Sequence, residues 1–551
     1  MRENGKTSSY AAAESSLYFG AVLLAVLLFF LFRWMLMIRT GLLGQGFLSV
    51  PLLLYLTAFL LSVCLMPAVI QRLIMIRMER DHAADAVRLF RTLCLYVTVL
   101  GAGFSVFFWF LGGFLGSASD RQFSVYALRY TGFLLWALGY LGVLRGYYIG
   151  RGSIVPVAIS IVTEQFFSGI FGIFCSAWFL RYGQKAVLIY QEGSYLAAYG
   201  AMSAVLSMLA GALLSLLLLR ISAALSGGVL AGANAGRRLE SLDSLRASIE
   251  RCVIPVFLCV LLMCVTGVAD ELIYGHRMAN LYPDSALRVY QVGSLSIAFC
   301  CLFLPVLGTS GLSFGLISAL REAVQRRDRR RIGRELQATG KLAFLFSLFF
   351  CLVFWALSEP FSNLLFSGED LSLLRRLLCY GAPFAVAASL GWNRAAALFG
   401  LGHYTEPLMH AIVASLIHLC LLFLLLYVFR LEAFASLFAF GAGNLVFFGL
   451  CSLSLAHCVK RRPHMIKNWV LPILITFSVA VLLRLFWSLC RAVLSEALLS
   501  GRFVSGLIFL VSAFAGFLIW RFLLMLSGAL KKEELRAMPL FGRLSERWRD
   551  R

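Results

Sequence analysis

An acid and an amide lie side by side within an apolar stretch of this chain, "RGYYIGRGSIVPVAISIVTEQFF", residues 145–167. Ionisable groups that face lipid cost several kcal/mol, so such groups usually line a cavity or find a partner. We therefore predict that Glu164 and Gln165 contact a substrate in a cavity, with Glu164 accepting hydrogen bonds from a sugar hydroxyl. The alternative is that Glu164 holds an arginine of another helix in place.

Cationic and amide side chains recur within other apolar runs or at their ends. Further candidates for the cavity are Arg33, Arg39, Arg129, Asn393 and Arg394. Because a carboxylate alone would repel phosphate, guanidinium groups would be needed to bind an anionic headgroup. A structural alternative exists for each arginine. Arg39 and Arg394 could extend to the membrane interface, and Arg33 could belong to a buried structural pair.

The composition identifies the elements that must position these residues. The chain has 551 residues, of which 61% are hydrophobic and 14% charged, and its mean hydropathy is +0.86. A soluble protein carries close to twice that charged fraction. Apolar runs long enough to cross a bilayer recur along the chain. The predicted fold class is an all-α polytopic membrane protein.

Fourteen spans are predicted, with no gap long enough for a soluble domain. They are 16–38, 47–70, 93–115, 124–146, 154–180, 194–219, 251–269, 289–312, 340–360, 377–399, 406–429, 433–456, 469–490 and 503–527. The cysteines within these runs include no CxxC pair and are expected to be small buried hydrophobes. We predict no metal and no cofactor, because no zinc spacing or complete phosphate loop occurs.

The charged loops predict an orientation. Five arginines follow span 2 in "QRLIMIRMERDHAADAVRLFRT", and seven follow span 8 in "REAVQRRDRRRIGR". The exits of odd-numbered spans are more acidic, as in "ADELIYGHRMANLYPDS". Lys and Arg stay in short cytoplasmic loops, so both termini are predicted to be cytoplasmic, in a bacterial cell membrane.

The basic loops also predict partners. A net charge of +22 spread over short loops favours anionic membrane lipids. A nucleic-acid footprint would be concentrated on one face, so no nucleic acid is predicted. The chain is expected to be a monomer.

An internal repeat divides the chain. "ERDHAADAVRLFRT" at Glu79 and "RRDRRRIGRELQAT" at Arg326 resemble each other at an offset of 247 residues, each between a second and a third span. Two turns between a fourth and a fifth span also match, "GRGSIVP" and "GLGHYTEP". Their predicted hinge residues are Gly150, Gly152, Pro156, Gly400, Gly402 and Pro407. The predicted units are 1–235, 236–460 and 461–551, that is, two similar six-helix lobes plus two further helices. Parallel repeats of this kind place a substrate path between the halves.

At these motifs the chain resembles a known family. "RGYYIGRGSIVPVAISIVTEQ" is similar to the pattern of the stage V sporulation protein B group within the multidrug/oligosaccharidyl-lipid/polysaccharide (MOP) exporters, beside the lipid II flippases. "AAYGAMSAVLSMLAGALLSLL", "AALFGLGHYTEP" and "LRAMPLFGRL" agree, so the similarity extends over nearly all of the chain.

The resemblance implies a two-lobed fold of fourteen helices with a central cavity. It also implies that the protein moves a polyprenyl-pyrophosphate-linked saccharide from the cytoplasmic to the outer leaflet. Cationic residues of the first helix line the cavity in lipid II flippases, which by position indicates Arg33 or Arg39. The chain departs from the family after Gln165, where "FFSGIFG" lacks the arginine that commonly follows.

Two alternative functions remain open. A cation-coupled drug exporter would place acids in its binding lobes, and the predicted spans 1 to 3 contain no buried carboxylate. A membrane glycosyltransferase or polymer ligase would need catalytic acids or a large outer loop, and the predicted outer loops are short. The sequence therefore favours a lipid-linked saccharide flippase that is not an enzyme.

Overall fold

The chain folds into long helices joined by short turns. The structure, a computed structural model, describes residues 2–80, 82–118, 122–225, 240–281, 284–366, 370–459, 466–495, 499 and 501–530. No strand occurs among those residues. A helix satisfies its backbone hydrogen bonds internally, which a chain in hydrocarbon requires. The all-α prediction is confirmed.

The helices are numbered here in chain order. They are α1 (Arg2–Leu60), α2 (Met66–Glu79), α3 (Ala83–Ala118), α4 (Val125–Gly150), α5 (Val155–Tyr190), α6 (Ser194–Leu225), α7 (Leu242–Leu281), α8 (Ser285–Gln325), α9 (Arg329–Ala356), α10 (Ser358–Leu365), α11 (Ser372–Leu401), α12 (Thr405–Phe423), α13 (Ala433–Cys458), α14 (Leu471–Val493) and α15 (Arg502–Leu526). A π-helical turn, Leu61–Leu65, joins α1 to α2.

Helix α1 is a hairpin of two arms that meet at Gly41. This glycine has φ 64° and ψ −175°, outside the helical region. The Tyr18 hydroxyl donates to the carbonyl of Val63, and the rings of Phe29 and Tyr55 stack at 5.7 Å. These contacts place residues equally distant from Gly41 beside each other, so the first arm (2–40) and the second arm (42–60) run antiparallel.

Fourteen membrane crossings follow from this hairpin. Among the described residues, 13 helical segments are long and apolar enough to cross a membrane, and the first, Ser16–Glu79, has 64 residues. About 20 residues cross a bilayer, so this segment is long enough for two passes. The predicted number of spans is confirmed, although a single residue replaces the loop expected at 39–46.

Several helices extend past the predicted spans, and one breaks before its predicted end. Span 7 was expected to end at 269, but α7 continues to Leu281. Span 9 was expected to run through 360, but the helix breaks at Leu357, and the short helix α10 follows. The first difference arises because Asp270 and Glu271 in the last part of α7 are buried by other helices, which local hydropathy does not register.

The helices form two lobes and an appended pair. Helices α1–α6 pack together as an N-lobe, and α7–α9 with α11–α13 pack as a C-lobe. Helices α14 and α15 pack on each other, with α14 against α9 and α15 against α10. The predicted unit boundaries, 235/236 and 460/461, lie outside the described residues, as does the basic tail 531–551.

The lobes meet along α1 and α8, where backbone lies against backbone. A β-carbon added at Gly46 would lie 2.2 Å from the carbonyl oxygen of Val289, and one at Gly293 would lie 2.0 Å from that of Leu42. At the opposite end of the same helices, the rings of Tyr18 and Phe314 stack at 4.1 Å. The α1–α8 seam is therefore in close contact at both ends.

Candidate functional site

A buried ion pair joins α4 to α5 in the N-lobe. The guanidinium Nη2 of Arg145 donates to Oε2 of Glu164 at 2.7 Å, and the two side chains are 0% and 1% exposed. Arg145 also donates from Nε to the Ser160 hydroxyl at 3.0 Å, from Nη2 to the Ser160 carbonyl at 3.3 Å and from Nη1 to the Ser62 hydroxyl at 3.5 Å. Every guanidinium nitrogen therefore has an acceptor.

The other carboxylate oxygen of Glu164 is bound as well. Oε1 accepts from the Tyr55 hydroxyl at 3.4 Å and from Gln165 Nε2 at 3.1 Å. Gln165 Nε2 also lies 2.7 Å from the Tyr55 hydroxyl. Of the two possibilities that the sequence left open, the structure displays the second, in which Glu164 holds an arginine of another helix. A contact of Glu164 with substrate stays a prediction.

Arg33 lies buried with unused donors. Its side chain is 3% exposed, and Nη2 donates to Gln45 Oε1 at 2.7 Å across the hairpin. Nε and Nη1 have no hydrogen-bond partner among the described residues. Arg33 is close enough to Cys300 of α8 to interact with it electrostatically. A buried guanidinium with two unpartnered donors is suited to receive an anion.

The remaining predicted cavity residues lie in four different settings. Arg39 is exposed and donates to the Ser176 hydroxyl of α5 at 2.6 Å. Arg129 is also exposed, with its guanidinium carbon 5.8 Å from the centre of the Trp109 ring.

The last two candidates lie on α11. Asn393 is buried and donates from Nδ2 to the Ser313 hydroxyl of α8 at 3.2 Å. Arg394 stacks 5.9 Å from the ring centre of Trp469. The structure thus brings Glu164 and Gln165 together and places the other five candidates in separate environments.

The predicted hinge residues form two equivalent turns. Gly152 and Gly402 have φ values of +81° and +98°, which favour glycine. Gly150 packs against Ile74 of α2, and Gly400 packs against Ile317 of α8. Pro156 lies in the first turn of α5, and Pro407 lies in the first turn of α12. Movement at these turns stays a prediction.

A chamber lies between the second arm of α1 and the C-lobe. Its cavity volume is about 100 Å³, and it is lined from α7, α8, α11, α12 and α13. Its polar lining includes Asp270, Glu271, His418 and Asn444. No Lys or Arg is among its lining residues in the part of the chain that the structure describes. Cys300, the neighbour of Arg33, forms part of its wall.

Asp270 organises the acidic end of the chamber. Its Oδ2 lies 3.0 Å from His418 Nε2, and its Oδ1 accepts from the Ser436 hydroxyl at 2.6 Å. Asp270 and Glu271 were not among the predicted site residues, because the sequence pattern places them in an outer loop. The sequence did contain a pattern that indicates a longer helix. Asp270, Tyr274 and Met278 follow one another at four-residue intervals, so they lie on one face of α7, and that face is buried.

An inner seal closes the lobes at the end near the turn 402–404. Arg72 of α2 donates from Nη1 to the Tyr404 hydroxyl at 2.6 Å. Arg321 of α8 donates from Nη1 to the carbonyl of Ala68 at 3.1 Å, and the Ser318 hydroxyl donates to Gln71 Oε1 at 3.2 Å. These three contacts cross from α2 to the C-lobe.

A latch at Glu240 holds the start of the C-lobe to the N-lobe. Arg77 Nε lies 2.9 Å from Glu240 Oε2, and Asp85 Oδ1 accepts from the Glu240 amide at 3.0 Å. Partial burial would raise the pKa of Glu240, but hydrogen bonds from Ser244 and Arg77 outweigh it and hold that pKa below its usual value. The Glu240 carboxylate is therefore ionised at neutral pH.

Comparisons with known proteins match this architecture. Residues 255–424 fit the MatE family model. A multidrug resistance MATE family transporter of the MOP superfamily, in an inward-facing conformation, superposes with a TM-score of 0.56 at 14% identity, over 82% of this chain and 96% of that one.

The chain has the fold of the MATE transporters.

Two further solved structures superpose over different lengths. The lipid II flippase MurJ, in an inward closed conformation, has a TM-score of 0.56 at 12% identity and covers 94% of this chain and 97% of its own. The MATE transporter VcmN of Vibrio cholerae, in its bent form, has a TM-score of 0.54 at 13% identity and covers 83% and 98%.

A curated relative matches at the level of sequence. Stage V sporulation protein B of Bacillus subtilis (strain 168) is 22% identical over 406 residues, which is 73% of this chain and 73% of the relative. The superfamily resemblance expected from the motifs is confirmed.

Proposed function

We propose that this protein is a flippase that moves a polyprenyl-pyrophosphate-linked saccharide across a bacterial cell membrane. The extent of the structural match carries the proposal. The superposition on the lipid II flippase covers 94% of the chain, whereas the MATE transporters cover 82% and 83%. Because the lipid II flippase matches more of this chain than the MATE transporters do, the structural comparison supports the flippase more than the exporter.

The polar head of the substrate would occupy the chamber. Carboxylate, imidazole and amide groups of Asp270, His418 and Asn444 can hydrogen-bond sugar hydroxyls. The pyrophosphate would lie toward Arg33, whose free Nε and Nη1 supply donors beyond the chamber wall at Cys300. This arrangement keeps the anion away from the carboxylates.

Movement of an anion from the cytoplasmic side would be favoured by the membrane potential. An inside-negative potential contributes about 2.3 kcal/mol per charge for each 100 mV. Two net negative charges on the headgroup would then drive accumulation without a coupled ion. The protein would bind and release its substrate without forming or breaking a bond, so no enzymatic activity is needed.

The proposed orientation has both termini in the cytoplasm. The arginine-rich connections after α2 and α8 support it, because cationic loops are retained on that side. The inner seal of Arg72 and Arg321 would then lie at the cytoplasmic end, next to anionic lipid headgroups. A monomer holds both lobes and needs no second copy.

Translocation in proteoliposomes tests the proposal. Purified protein is reconstituted with a fluorescent polyprenyl-pyrophosphate disaccharide, and a membrane-impermeant quencher reports the leaflet that holds it. We expect movement between leaflets within minutes and none in protein-free vesicles. Absence of movement would contradict the flippase, and formation of a new glycosidic product would point to a transferase.

A cation-coupled exporter is the second candidate function. The two carboxylates in the chamber, Asp270 and Glu271, favour it, because such groups bind cations or protons. Export of an organic cation that depends on an imposed sodium or proton gradient would support this function. If the gradient has no effect and the lipid-linked disaccharide moves, the exporter is excluded.

A further inference from the structure

Two pairs of histidine and cysteine lie between α12 and α13, in the half of these helices that is near the turn 402–404. His403 Nε2 lies 3.7 Å from the Cys458 sulfur, and His410 Nδ1 lies 3.5 Å from the Cys451 sulfur. The two histidines are seven residues apart on the chain, as are the two cysteines, so the pairs repeat after about two helical turns. Neither pair lines the chamber or takes part in the contacts of the inner seal.

A carboxylate orients the imidazole ring of the 403–458 pair. Glu406 Oε1 lies 2.6 Å from His403 Nδ1. Because a carboxylate only accepts hydrogen bonds, Nδ1 carries the proton of the neutral ring, and Nε2 presents its lone pair to the Cys458 sulfur. Glu406 stands in the first turn of α12, three residues after His403, so the start of this helix brings the two side chains together. In this order, a thiol, a base and a group that holds the base form the arrangement of an activated nucleophile.

The 403–458 pair is open to its surroundings, whereas the 410–451 pair is enclosed. Cys458, the last residue of α13, is exposed, and the His403 side chain is 43% exposed. Cys451 is 0% exposed, and the second ring nitrogen of His410 lies 3.2 Å from the Ser454 hydroxyl instead of a carboxylate. A dissolved reagent can therefore reach Cys458 but not Cys451.

We propose that Cys458 is a reactive thiol that forms mixed disulfides with low-molecular-weight disulfides, with His403 as general base and Glu406 as a positioning residue. An ordinary thiol is mostly protonated at neutral pH, and the thiolate is the nucleophile. His403 Nε2 takes the thiol proton as the Cys458 sulfur attacks one sulfur of the reagent. A new S–S bond forms, the S–S bond of the reagent breaks, and its second sulfur leaves as a thiolate that receives the proton from His403.

The class of reagent follows from the position of Cys458. This residue ends a candidate membrane span, Ala433–Cys458, so it lies where the helix leaves the bilayer and where small water-soluble molecules have access. In the proposed orientation this is the cytoplasmic side, where low-molecular-weight thiols keep most cysteines reduced and such adducts are reversible. The inference concerns a modification site outside the chamber, and it does not depend on the proposed transport.

Mass spectrometry that resolves each cysteine of the full-length protein tests the inference. Protein in detergent is incubated with glutathione disulfide at neutral pH, and the adduct on each cysteine is measured over time. We expect Cys458 to acquire the adduct first, dithiothreitol to remove it, and Cys451 to stay unmodified. Equal rates at Cys458 and Cys451 would show that the helix pair opens without a specific reactive site, and the inference would be wrong.

A matched pair of substitutions tests the general base. His403→Gln removes the base and leaves the Cys458 thiol exposed, so the adduct should form at least about tenfold more slowly. His410→Gln, in the 410–451 pair, is the control and should leave the rate at Cys458 unchanged. Melting temperatures close to that of the unmodified protein would exclude misfolding as the cause. If Cys458 reacts as fast in His403→Gln as in the unmodified protein, it is an exposed thiol without activation, and the inference is overturned.

Substitutions of Glu406 test the positioning role. Glu406→Gln removes the charged acceptor of His403 Nδ1, so adduct formation at Cys458 should slow, whereas Glu406→Asp keeps a carboxylate and should recover part of the rate. A role of Glu406 in folding alone would lower the melting temperature of Glu406→Gln and leave the rate at Cys458 unchanged. That result would contradict the assignment of Glu406 as a positioning residue.

Discussion

Arg145 and Glu164 form an ion pair of 2.7 Å between two helices, with both side chains almost completely buried. Together with Tyr55 and Gln165, this pair ties α4, α5 and the second arm of α1 into one unit. All the nitrogen atoms of the guanidinium and both carboxylate oxygens have partners. We infer that the network stiffens the N-lobe, so that the lobe moves as a rigid body.

Removing one partner of this pair should destabilise the protein. Glu164→Ala leaves Arg145 as an uncompensated buried charge, which costs about 3–5 kcal/mol. The melting temperature in detergent should fall for Glu164→Ala and for Arg145→Ala, and it should recover in part when both are replaced by leucine. If Glu164→Ala melts like the unmodified protein and loses substrate binding, Glu164 is a substrate contact instead.

Replacing Arg33 should reduce transport without lowering the stability of the protein. Its Nε and Nη1 are buried without a partner among the described residues, so Arg33→Leu removes a cost of burial and should not lower the melting temperature. Translocation should nevertheless fall by about tenfold or more, because a charge-assisted contact to phosphate is lost. Arg129→Leu, on the exposed face beside Trp109, serves as the control and should change neither quantity.

Asp270 should be needed for substrate or cation binding within the chamber. Asp270→Asn removes the charge and keeps the size, so His418 and Ser436 lose a charged partner. We expect a fall in translocation of about tenfold, with Asp243→Asn on the exposed start of α7 as the control. An unchanged rate in Asp270→Asn would exclude the chamber as the binding site.

The glycines of the two equivalent turns should resist substitution. Gly152 has φ +81° and open space around its α-carbon, so Gly152→Ala adds backbone strain without a clash. This conformation costs a residue with a β-carbon about 1–2 kcal/mol, so Gly152→Ala should unfold at a lower temperature than the unmodified protein. Gly103→Ala, on a helix with similarly open space, should be neutral or stabilising. Equal melting temperatures for the two variants would contradict this assignment.

The Glu240 latch predicts a pH dependence. Because the pKa of Glu240 is below its ordinary value of about 4.5, its contribution to stability is present above that value and is lost as the pH falls through the lowered one. The difference in melting temperature between the unmodified protein and Glu240→Gln should be constant from neutral pH to about pH 6 and shrink below about pH 4. A difference that already vanishes near neutral pH would contradict the latch.

The sequence predicted the helices well because spans are set by local hydropathy. The sequence also contained a pattern from which the ion pair could have been predicted. Arg145 lies six residues before the turn at 151–154 and Glu164 ten residues after it, so an antiparallel hairpin places them within about one helical turn of each other in depth. Arg145 was not among the predicted site residues, because it stands at the end of a predicted span, although in the structure it is completely buried.

The chamber could not be predicted from local sequence patterns. Asp270 and Glu271 follow the apolar part of α7, and only packing by α12 and α13 buries Asp270 against His418 and Ser436. The two unused donors of Arg33 likewise depend on which helices surround it. Such features arise from tertiary contacts between distant parts of the chain, which a single sequence does not specify.

A structure determined with a bound polyprenyl-pyrophosphate disaccharide tests the central claim most directly. Density for the saccharide is predicted between Asp270 and Asn444, with the pyrophosphate within hydrogen-bond distance of Arg33. Density for the headgroup on another surface, with the chamber empty, would contradict the account.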